Sequence, residues 1–320
     1  MTGYIIRRVL LFIPTAVGVS IVIFFLLHVI PGDYATTVVL GGEDRANLAT
    51  QEEIQRVREE LGLDRNIVIQ YRDWAADFFT GDLGQSLTNR QSVAERMLPR
   101  IVVSAQLAVM AVVIAVVVAI PFGVIAAVRQ DTLLDYGLRF FSMIFESMPN
   151  FWLGLLLLVA LAIIFDWKPP ISYKDLWEEP WTNLQVMFFP ALVVGARGSA
   201  GMLRMTRSSV LEVLREDYVR TAHAKGLQQA RILFIHVLRN ALLPVTTLAG
   251  FEVVILFGGQ VVIEQVFQIP GIGQLLVQAV AGRDTPVIQA IIMFIAIVVL
   301  LANLVVDLMY GLLDPRIRYG

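Results

Sequence analysis

The chain has 320 residues, and its 25 Lys and Arg nearly balance its 27 Asp and Glu, giving a net charge of −2. Hydrophobic residues make up 57% of the chain and charged residues only 16%, whereas soluble domains carry about 25% charged residues. This composition excludes a soluble globular protein and indicates an integral membrane protein. There is no cysteine, which excludes disulfides, thiolate nucleophiles and cysteine-based metal sites.

Six apolar segments predict an all-α polytopic membrane protein with six spans. In chain order the predicted spans are Val9–Ile30, Ile101–Val128, Phe140–Phe165, Gln185–Met202, Ala241–Val266 and Val287–Leu313. The first follows Arg7 and Arg8 but has no small-residue cleavage site, so we interpret it as an uncleaved helix rather than a signal peptide. Pro14 is placed in its first turns, where a missing backbone donor costs least. Pro121 predicts a kink in the second span.

A polar insert, Asp33–Arg100, follows the first span and carries 12 acids and 8 bases. Thr50 and Glu53 form a possible capping box for a helix that ends at Gly62. A second helix is predicted over Ile67–Phe79, with Ile67, Tyr71, Trp74 and Phe78 on one face, followed by a Gly-rich turn at residues 81–84. The insert is too polar for the bilayer, and it is either a folded spacer or a docking or gating cap. The predicted domains are residues 1–30, the extracellular insert 31–100, and a core 101–320 with a cytoplasmic coupling segment 204–240.

The segment from Arg197 to Asn240 is strongly basic, with eight Lys and Arg against three acids. Val210, Leu214 and Tyr218 recur every four residues, as on one face of a helix. A short helix is predicted from Asp217 to Lys225, ending at Gly226 in a left-handed cap. A basic helical segment between membrane spans is expected to face the cytoplasm.

The distribution of basic residues predicts which side each loop faces. With both termini in the cytoplasm, 14 Lys and Arg lie inside and three lie in the short outer loops, Lys168, Lys174 and Arg283. The long insert holds the remaining eight, and long translocated loops weigh little in this rule. The chain is therefore expected in the cell membrane as a multi-pass protein with both termini cytoplasmic.

Two acids, Glu146 and Glu252, fall within predicted spans, where a carboxylate is costly and faces protein or water. Each either lines a pathway, where it could contact a cargo amine, or forms an interhelical hydrogen bond. Pro149 either kinks the third span or helps to gate it. Gln268–Thr285 is predicted to be a Gly- and Pro-rich loop, and its first turn, Gln268–Gly273, is either part of an outer gate or a plain reentrant or connecting loop. The candidate pathway or gate residues are Glu146, Pro149, Glu252, Phe267, Pro270 and Gly271.

No catalytic constellation is found in the sequence. The chain has no Gly-x-x-x-x-Gly-Lys-Ser/Thr phosphate loop, so it does not bind ATP by that device. His28, His223 and His236 are too scattered for a metal cage. Nucleic-acid binding is not expected, because the basic patch is local and adjacent to the membrane. The chain is therefore predicted to be neither an enzyme nor a metal-binding or cofactor-binding protein.

Four stretches of the sequence resemble one known family. They are residues 7–33 (RR…PT…GVS…PGD), 81–86 (GDLGQS), 218–244 (YVRTAHAKGL…HVLRNALLP) and 264–286 (EQVFQIPGIG…RDTP). Together they resemble the B-type transmembrane subunit of the dipeptide/oligopeptide permease family of ATP-binding-cassette importers. The resemblance covers nearly the whole chain.

This resemblance implies a type I importer permease fold and several partners. A homologous C-type permease would form the other half of the pathway. Two ATPase subunits would bind ATP and Mg, and an extracellular peptide-binding protein would deliver the cargo. The implied ATPase-coupling residues are Asp217, Tyr218, Arg220, Thr221, Ala222, His223, Ala224, Lys225, Gly226 and Leu227.

Within that coupling segment, Ala222 and Ala224 are small enough to let a partner's backbone approach. The stretch departs from the general importer pattern, which opens with Glu-Ala-Ala, because Thr221-Ala222-His223 stands there. Membrane lipid is a further expected partner.

Two alternatives remain open. The same family could carry nickel complexes or glutathione, because the binding protein chooses the cargo. A secondary carrier or channel driven by an ion gradient is an alternative from another class. Glu252 is the feature that favours a carrier, whereas the absence of a clear internal repeat argues against it.

Overall fold

The computed structural model of the chain describes residues 2–29, 51–60, 64–170 and 172–313. Within these ranges the chain is helical, and the only strand-like pairing is an isolated bridge between Gln85 and Ser92. The predicted all-α class is therefore confirmed. In chain order the helices are α1 (Thr2–Val29), α2 (Gln51–Glu60), α3 (Ile67–Thr80), α4 (Val93–Val128), α5 (Leu133–Ser147), α6 (Asn150–Ile164), α7 (Pro180–Leu214), α8 (Asp217–Ala224), α9 (Gln229–Ala241, with a π-helical centre at Ile232–Val237), α10 (Leu243–Gly259), α11 (Val261–Val266), α12 (Ile272–Ala281) and α13 (Thr285–Leu313).

Four of these helices, α1, α4, α7 and α13, are long and apolar enough to cross a membrane. Two further pairs pass the same test together but are bent, α5 with α6 by 106° and α9 with α10 by 50°. The described residues thus contain four spans, or up to six if each bent pair counts as one.

The third predicted span, Phe140–Phe165, is wrong as a single helix, because the chain breaks between α5 and α6. Met148 adopts an extended conformation with φ −85° and ψ 135°. Pro149 follows it and directly precedes α6. Proline disfavours a helical conformation in the residue before it and lacks an amide donor. The helix therefore breaks here although the surrounding residues are apolar.

The fourth predicted span is too short, because α7 begins at Pro180 and continues through the basic residues to Leu214. The helix then ends, and Tyr218 belongs to α8. The expected continuous face of Val210, Leu214 and Tyr218 is therefore wrong.

Two further boundaries differ from the sequence prediction. The fifth predicted span, Ala241–Val266, is divided at Leu242 and at Gln260 among α9, α10 and α11. The predicted loop Gln268–Thr285 contains the helix α12, which buries Ile272, Leu275 and Ala279. Apolar packing at this helical spacing outweighs the glycines and prolines nearby.

The first span is present as α1, which begins at Thr2, seven residues before the predicted Val9, and part of the insert follows the prediction closely. The helix predicted at Ile67–Phe79 is confirmed as α3, which Asn66 caps by accepting a hydrogen bond from the amide of Val68 at 2.9 Å. Gly81 ends it with φ +90°. Pro14, by contrast, lies well inside α1 rather than in its first turns. Thr50 and Gly62 of the proposed capped helix lie outside the described residues.

The chain divides into two compact units. Among the described residues, one comprises those within 105–269 and 305–313, and the other comprises those within 2–104 and 270–304. In the second unit, the N-terminal part of α4 packs with α12 and the start of α13 around Met97, Leu275 and Ile291. In the first unit, two apolar clusters hold α7 against α4, α8, α9 and α10.

Candidate functional site

The predicted coupling helix is present as α8, Asp217–Ala224, and it ends as the sequence predicts. Gly226 has φ +75°. The amide of Leu227 donates to the carbonyl of Ala222 at 3.3 Å, and the amide of Gly226 donates to the carbonyl of His223 at 2.9 Å. This pair of bonds is a Schellman motif, which satisfies the last carbonyls of the helix. The predicted left-handed cap at Gly226 is confirmed.

One face of α8 is buried within the chain itself. Val219 and Ala222 are 1% and 7% exposed and pack in one apolar cluster. The other buried members of that cluster come from α4, α7 and α9 and are Ala127, Val210, Ile232, Val237 and Ala241. Ala222 is therefore not available to a partner's backbone, contrary to the sequence interpretation. Its small size serves the packing of α8 against its own chain.

The opposite face of α8 is exposed. Asp217, Tyr218, Arg220, Thr221, His223, Ala224, Lys225 and Gly226 are exposed, and Leu227 is half-buried. Arg220 pairs with Asp217 at 3.3 Å within the helix. The hydroxyl of Tyr218 accepts a hydrogen bond from the side-chain Nδ2 of Asn240 at 2.9 Å, which links α8 to α9. The exposed face of α8 is thus polar, with Ala224 as a small residue on it, and the buried face packs against α4, α7 and α9.

We predict that Gly226→Ala destabilises this capped helix. A Cβ at Gly226 would meet no atom within 4 Å, so the cost is the left-handed backbone alone, about 1–2 kcal/mol. The measurement is the free energy of unfolding of the purified chain in detergent. Gly226→Asn is the matched control, because asparagine enters this conformation readily. Equal stability of the two variants would contradict the prediction.

Glu146, a candidate pathway residue, is instead engaged by an arginine of another helix. Its two carboxylate oxygens accept from both terminal nitrogens of Arg204 on α7. A second such pair lies on the same two helices, where Arg207 donates to Asp135 through two bonds of 2.7 Å. Asp135 is fully buried and also accepts from the amide of Asp131. These two bidentate pairs fix α5 against α7, so Glu146 follows the interhelical alternative.

Glu252 lies on α10 in a different setting. Its carboxylate oxygen is 3.4 Å from the place where a Cβ on Gly198 would lie, so the side chain packs against the glycine surface of α7. It is half-buried, and among the hydrogen bonds of the described residues none reaches its carboxylate. Its role as a pathway residue stays a prediction.

The other pathway and gate candidates occupy helix ends. Pro149 stands at the bend between α5 and α6. The ring of Phe267 packs on Gly154 of α6, with its Cε2 atom 3.0 Å from where a glycine Cβ would lie. Pro270 and Gly271 directly precede α12. The first amide of α12, that of Ile272, donates to the Ser104 hydroxyl at 2.8 Å.

Sequence reasoning missed a buried carboxylate that joins two of the quoted motifs. Asp284 is 1% exposed. It accepts hydrogen bonds from the Ser86 hydroxyl at 2.5 Å, the Leu87 amide at 3.0 Å and the Thr88 hydroxyl at 2.9 Å. Arg96 completes the set with an ion pair at 3.2 Å. The stretches 81–86 and 283–286 thus meet at one site, although nothing in their separate patterns indicates contact.

The titratable side chains do not suggest a catalytic or metal centre in the described ranges. No group of three or more His, Cys, Asp or Glu there is arranged to hold a metal ion. The acids described above each serve a helix contact or face an apolar surface.

The long apolar helices define a multi-pass membrane protein. Residues 119–319 match the family described as the inner membrane component of binding-protein-dependent transport systems, and residues 1–108 match its N-terminal region. The chain belongs to this family of inner-membrane transport permeases.

Curated relatives match over the whole chain. The di/tripeptide transport system permease protein DppB of Pseudomonas aeruginosa (strain UCBPP-PA14) is 40% identical, with 100% of this chain and 99% of the relative covered. The oligopeptide transport system permease protein AppB of Bacillus subtilis (strain 168) is 38% identical, with both chains fully covered. The dipeptide transport system permease protein DppB of Escherichia coli (strain K12) is 36% identical, with 100% and 99% covered.

Proposed function

We propose that this chain is one of two transmembrane subunits of an ATP-driven importer for di- and oligopeptides. A homologous permease subunit supplies the other half of the pathway, and an external binding protein delivers the peptide. Two ATPase subunits bind ATP and Mg²⁺, and one of them docks on the exposed face of α8. The chain hydrolyses nothing itself. Its termini and α8 face the cytoplasm, in accordance with the distribution of basic residues.

The observation that carries this proposal is the structure of α8 within a chain of this family. Its buried face packs with α4, α7 and α9, and its exposed face carries Arg220, His223 and Lys225. A short helix held in this way moves with the spans behind it when a partner displaces it. Basic side chains there suit carboxylates or helix C-termini of a partner.

The test is peptide-stimulated ATP hydrolysis by the reconstituted transporter, with the binding protein present. We expect Ala224→Trp to reduce the stimulation at least about tenfold, the equivalent of about 1.4 kcal/mol of lost coupling, because the added ring obstructs docking on α8. Ala76→Trp is the matched control, since Ala76 is also exposed but lies on α3, away from α8 in the chain. The complex containing Ala76→Trp is expected to keep its activity.

Three outcomes would count against the proposal. Full stimulation in an intact Ala224→Trp complex would contradict docking on α8. Transport by the purified chain alone, driven by an ion gradient, would favour a carrier. Stimulation by nickel complexes or glutathione but not by peptides would contradict the peptide cargo, while the proposal of an ATP-driven importer would stand.

A further inference from the structure

The helix α3 of the insert packs along the side of the first span. The hydroxyls of Ser20 on α1 and Tyr71 on α3 are 2.8 Å apart. The ring of Phe24 lies 5.5 Å from that of Tyr71 and 5.6 Å from that of Trp74, measured between centroids. Phe24 is only 3% exposed. One face of α3 therefore rests on α1 through aromatic side chains.

This contact occurs at the level of the apolar part of α1. The segment that is apolar enough to cross the membrane is Ile6–Phe25, and both Ser20 and Phe24 lie inside it. Because α3 touches α1 here rather than beyond the end of the span, part of α3 lies at the depth of the bilayer. A helix at that depth must present an apolar surface wherever protein does not cover it.

The uncovered flank of α3 has this character. Val68 and Phe79 are 66% and 67% exposed, and Ala75 lies between them on the same side. With 3.6 residues per turn, these three positions fall within about 40° of one another, next to the face that packs on α1. The polar side chains Asp73 and Asp77 lie on the opposite flank. Arg72 borders this flank beside Phe79, and its guanidinium turns to Asp73 on the polar side. The apolar arc thus extends beyond the face that α1 covers.

The neighbouring surface of α1 is apolar and exposed as well. At the same level it presents Ile21, Val22 and Phe25, each more than a third exposed. Exposed apolar side chains of a membrane span contact lipid, so α1 borders on acyl chains at the level where α3 packs against it. Trp74 and Tyr71 are the aromatic types that favour the membrane interface.

From this geometry we propose that α3 is an interfacial helix, embedded in the leaflet at the C-terminal end of α1. Its flank of Val68, Ala75 and Phe79 contacts lipid acyl chains, and its acidic flank faces the headgroups and water. Arg72 pairs with Asp73 at 2.8 Å, so α3 offers no basic patch. The attachment is therefore apolar and does not select anionic lipids. The insert as a whole is polar, yet this one helix belongs to the bilayer.

The experiment uses the absence of native cysteine in the chain. Single variants Val68→Cys and Phe79→Cys are spin-labelled and placed, within the assembled transporter, in phosphatidylcholine nanodiscs. Val22→Cys provides a lipid-facing reference on α1, and Asp77→Cys provides a reference on the polar flank of α3. Both test positions are largely exposed, so the label is tolerated, and the intact complex is confirmed by gel filtration.

We expect labels at Val68 and Phe79 to collide with oxygen rather than with a water-soluble nickel chelate, as at Val22. The ratio of the collision rate with oxygen to the collision rate with the nickel chelate should be several-fold lower for the label at Asp77. Replacing about one lipid in three with phosphatidylglycerol should leave these ratios unchanged, since α3 has no basic cluster that attracts an anionic lipid.

Two results would overturn the proposal. Preferential collision with the nickel chelate at Val68 and Phe79 would place the flank in water. Protection from both reagents at these positions, with Val22 still open to oxygen, would mean that protein covers the flank. Neither result depends on the cargo or on ATP, so the proposed function is tested separately.

Discussion

We expect Asp284→Ala to destabilise the chain by about 3–5 kcal/mol, the range for removing one partner of a buried ion pair. The substitution leaves Arg96 without its carboxylate, with an arginine side chain that is only 17% exposed. It also removes the acceptor for the Ser86 and Thr88 hydroxyls and the Leu87 amide. The measurement is the free energy of unfolding of the purified chain in detergent.

Three further variants separate the causes of this effect. Asp284→Asn keeps an acceptor oxygen and is expected to lose less than Asp284→Ala. Arg96→Met combined with Asp284→Ala removes the unpaired charge, and it should recover part of the loss. Asp77→Ala removes an exposed carboxylate and should change stability by no more than about 0.5 kcal/mol. An Asp284→Ala protein as stable as the Asp77→Ala control would show that the cluster does not hold this region together.

The second large effect is expected at Gly195, where α7 meets α4. A Cβ there would lie 2.7 Å from the carbonyl oxygen of Ala111 and 2.9 Å from the Cβ atom of Ile114. The carbonyl belongs to a helical backbone and cannot move aside, so Gly195→Ala must separate the two helices. We expect a loss of about 1–3 kcal/mol, as for overpacked cores. Small residues permit such close approach of helices within membranes.

Gly201 on the same helix is the matched control, because a Cβ there meets nothing within 4 Å. Gly201→Ala should leave stability unchanged or raise it by up to about 1 kcal/mol, the difference in helix propensity. The two substitutions are chemically identical, so opposite signs in the unfolding free energy would isolate helix packing as the cause. A loss of the same size at both positions would refute it.

Local signals in the sequence were sufficient for several parts of the fold. Gly226 predicted the end of α8, because few residue types adopt a left-handed conformation. The spacing of Ile67, Tyr71, Trp74 and Phe78 predicted α3, since these residues line one helix face. Signals of this kind act over four or five residues, and no distant contact is needed to interpret them. Long apolar runs likewise predicted the membrane class and the long helices.

Some missed features did leave a signal in the sequence. Ile272, Leu275 and Ala279 have the spacing of a buried helix face, and this pattern could have predicted α12 inside the supposed loop. Pro149 could likewise have predicted a break rather than a kink, given its effect on Met148. In both cases the composition of the surrounding segment was weighted above the local backbone chemistry.

The sequence by itself determined the all-α membrane class, the helical character of most segments and the capped helix at residues 217–224. Only the tertiary structure decided which polar groups meet. Arg207 and Asp135 are 72 residues apart in the chain, and Ser86 and Asp284 are 198 apart. The tertiary structure also decided that Ala222 is buried against α4, α7 and α9 rather than exposed to a partner. A side chain's hydrogen-bonding capacity can be recognised from its type, but its partner depends on how distant helices pack, and no local pattern encodes that arrangement.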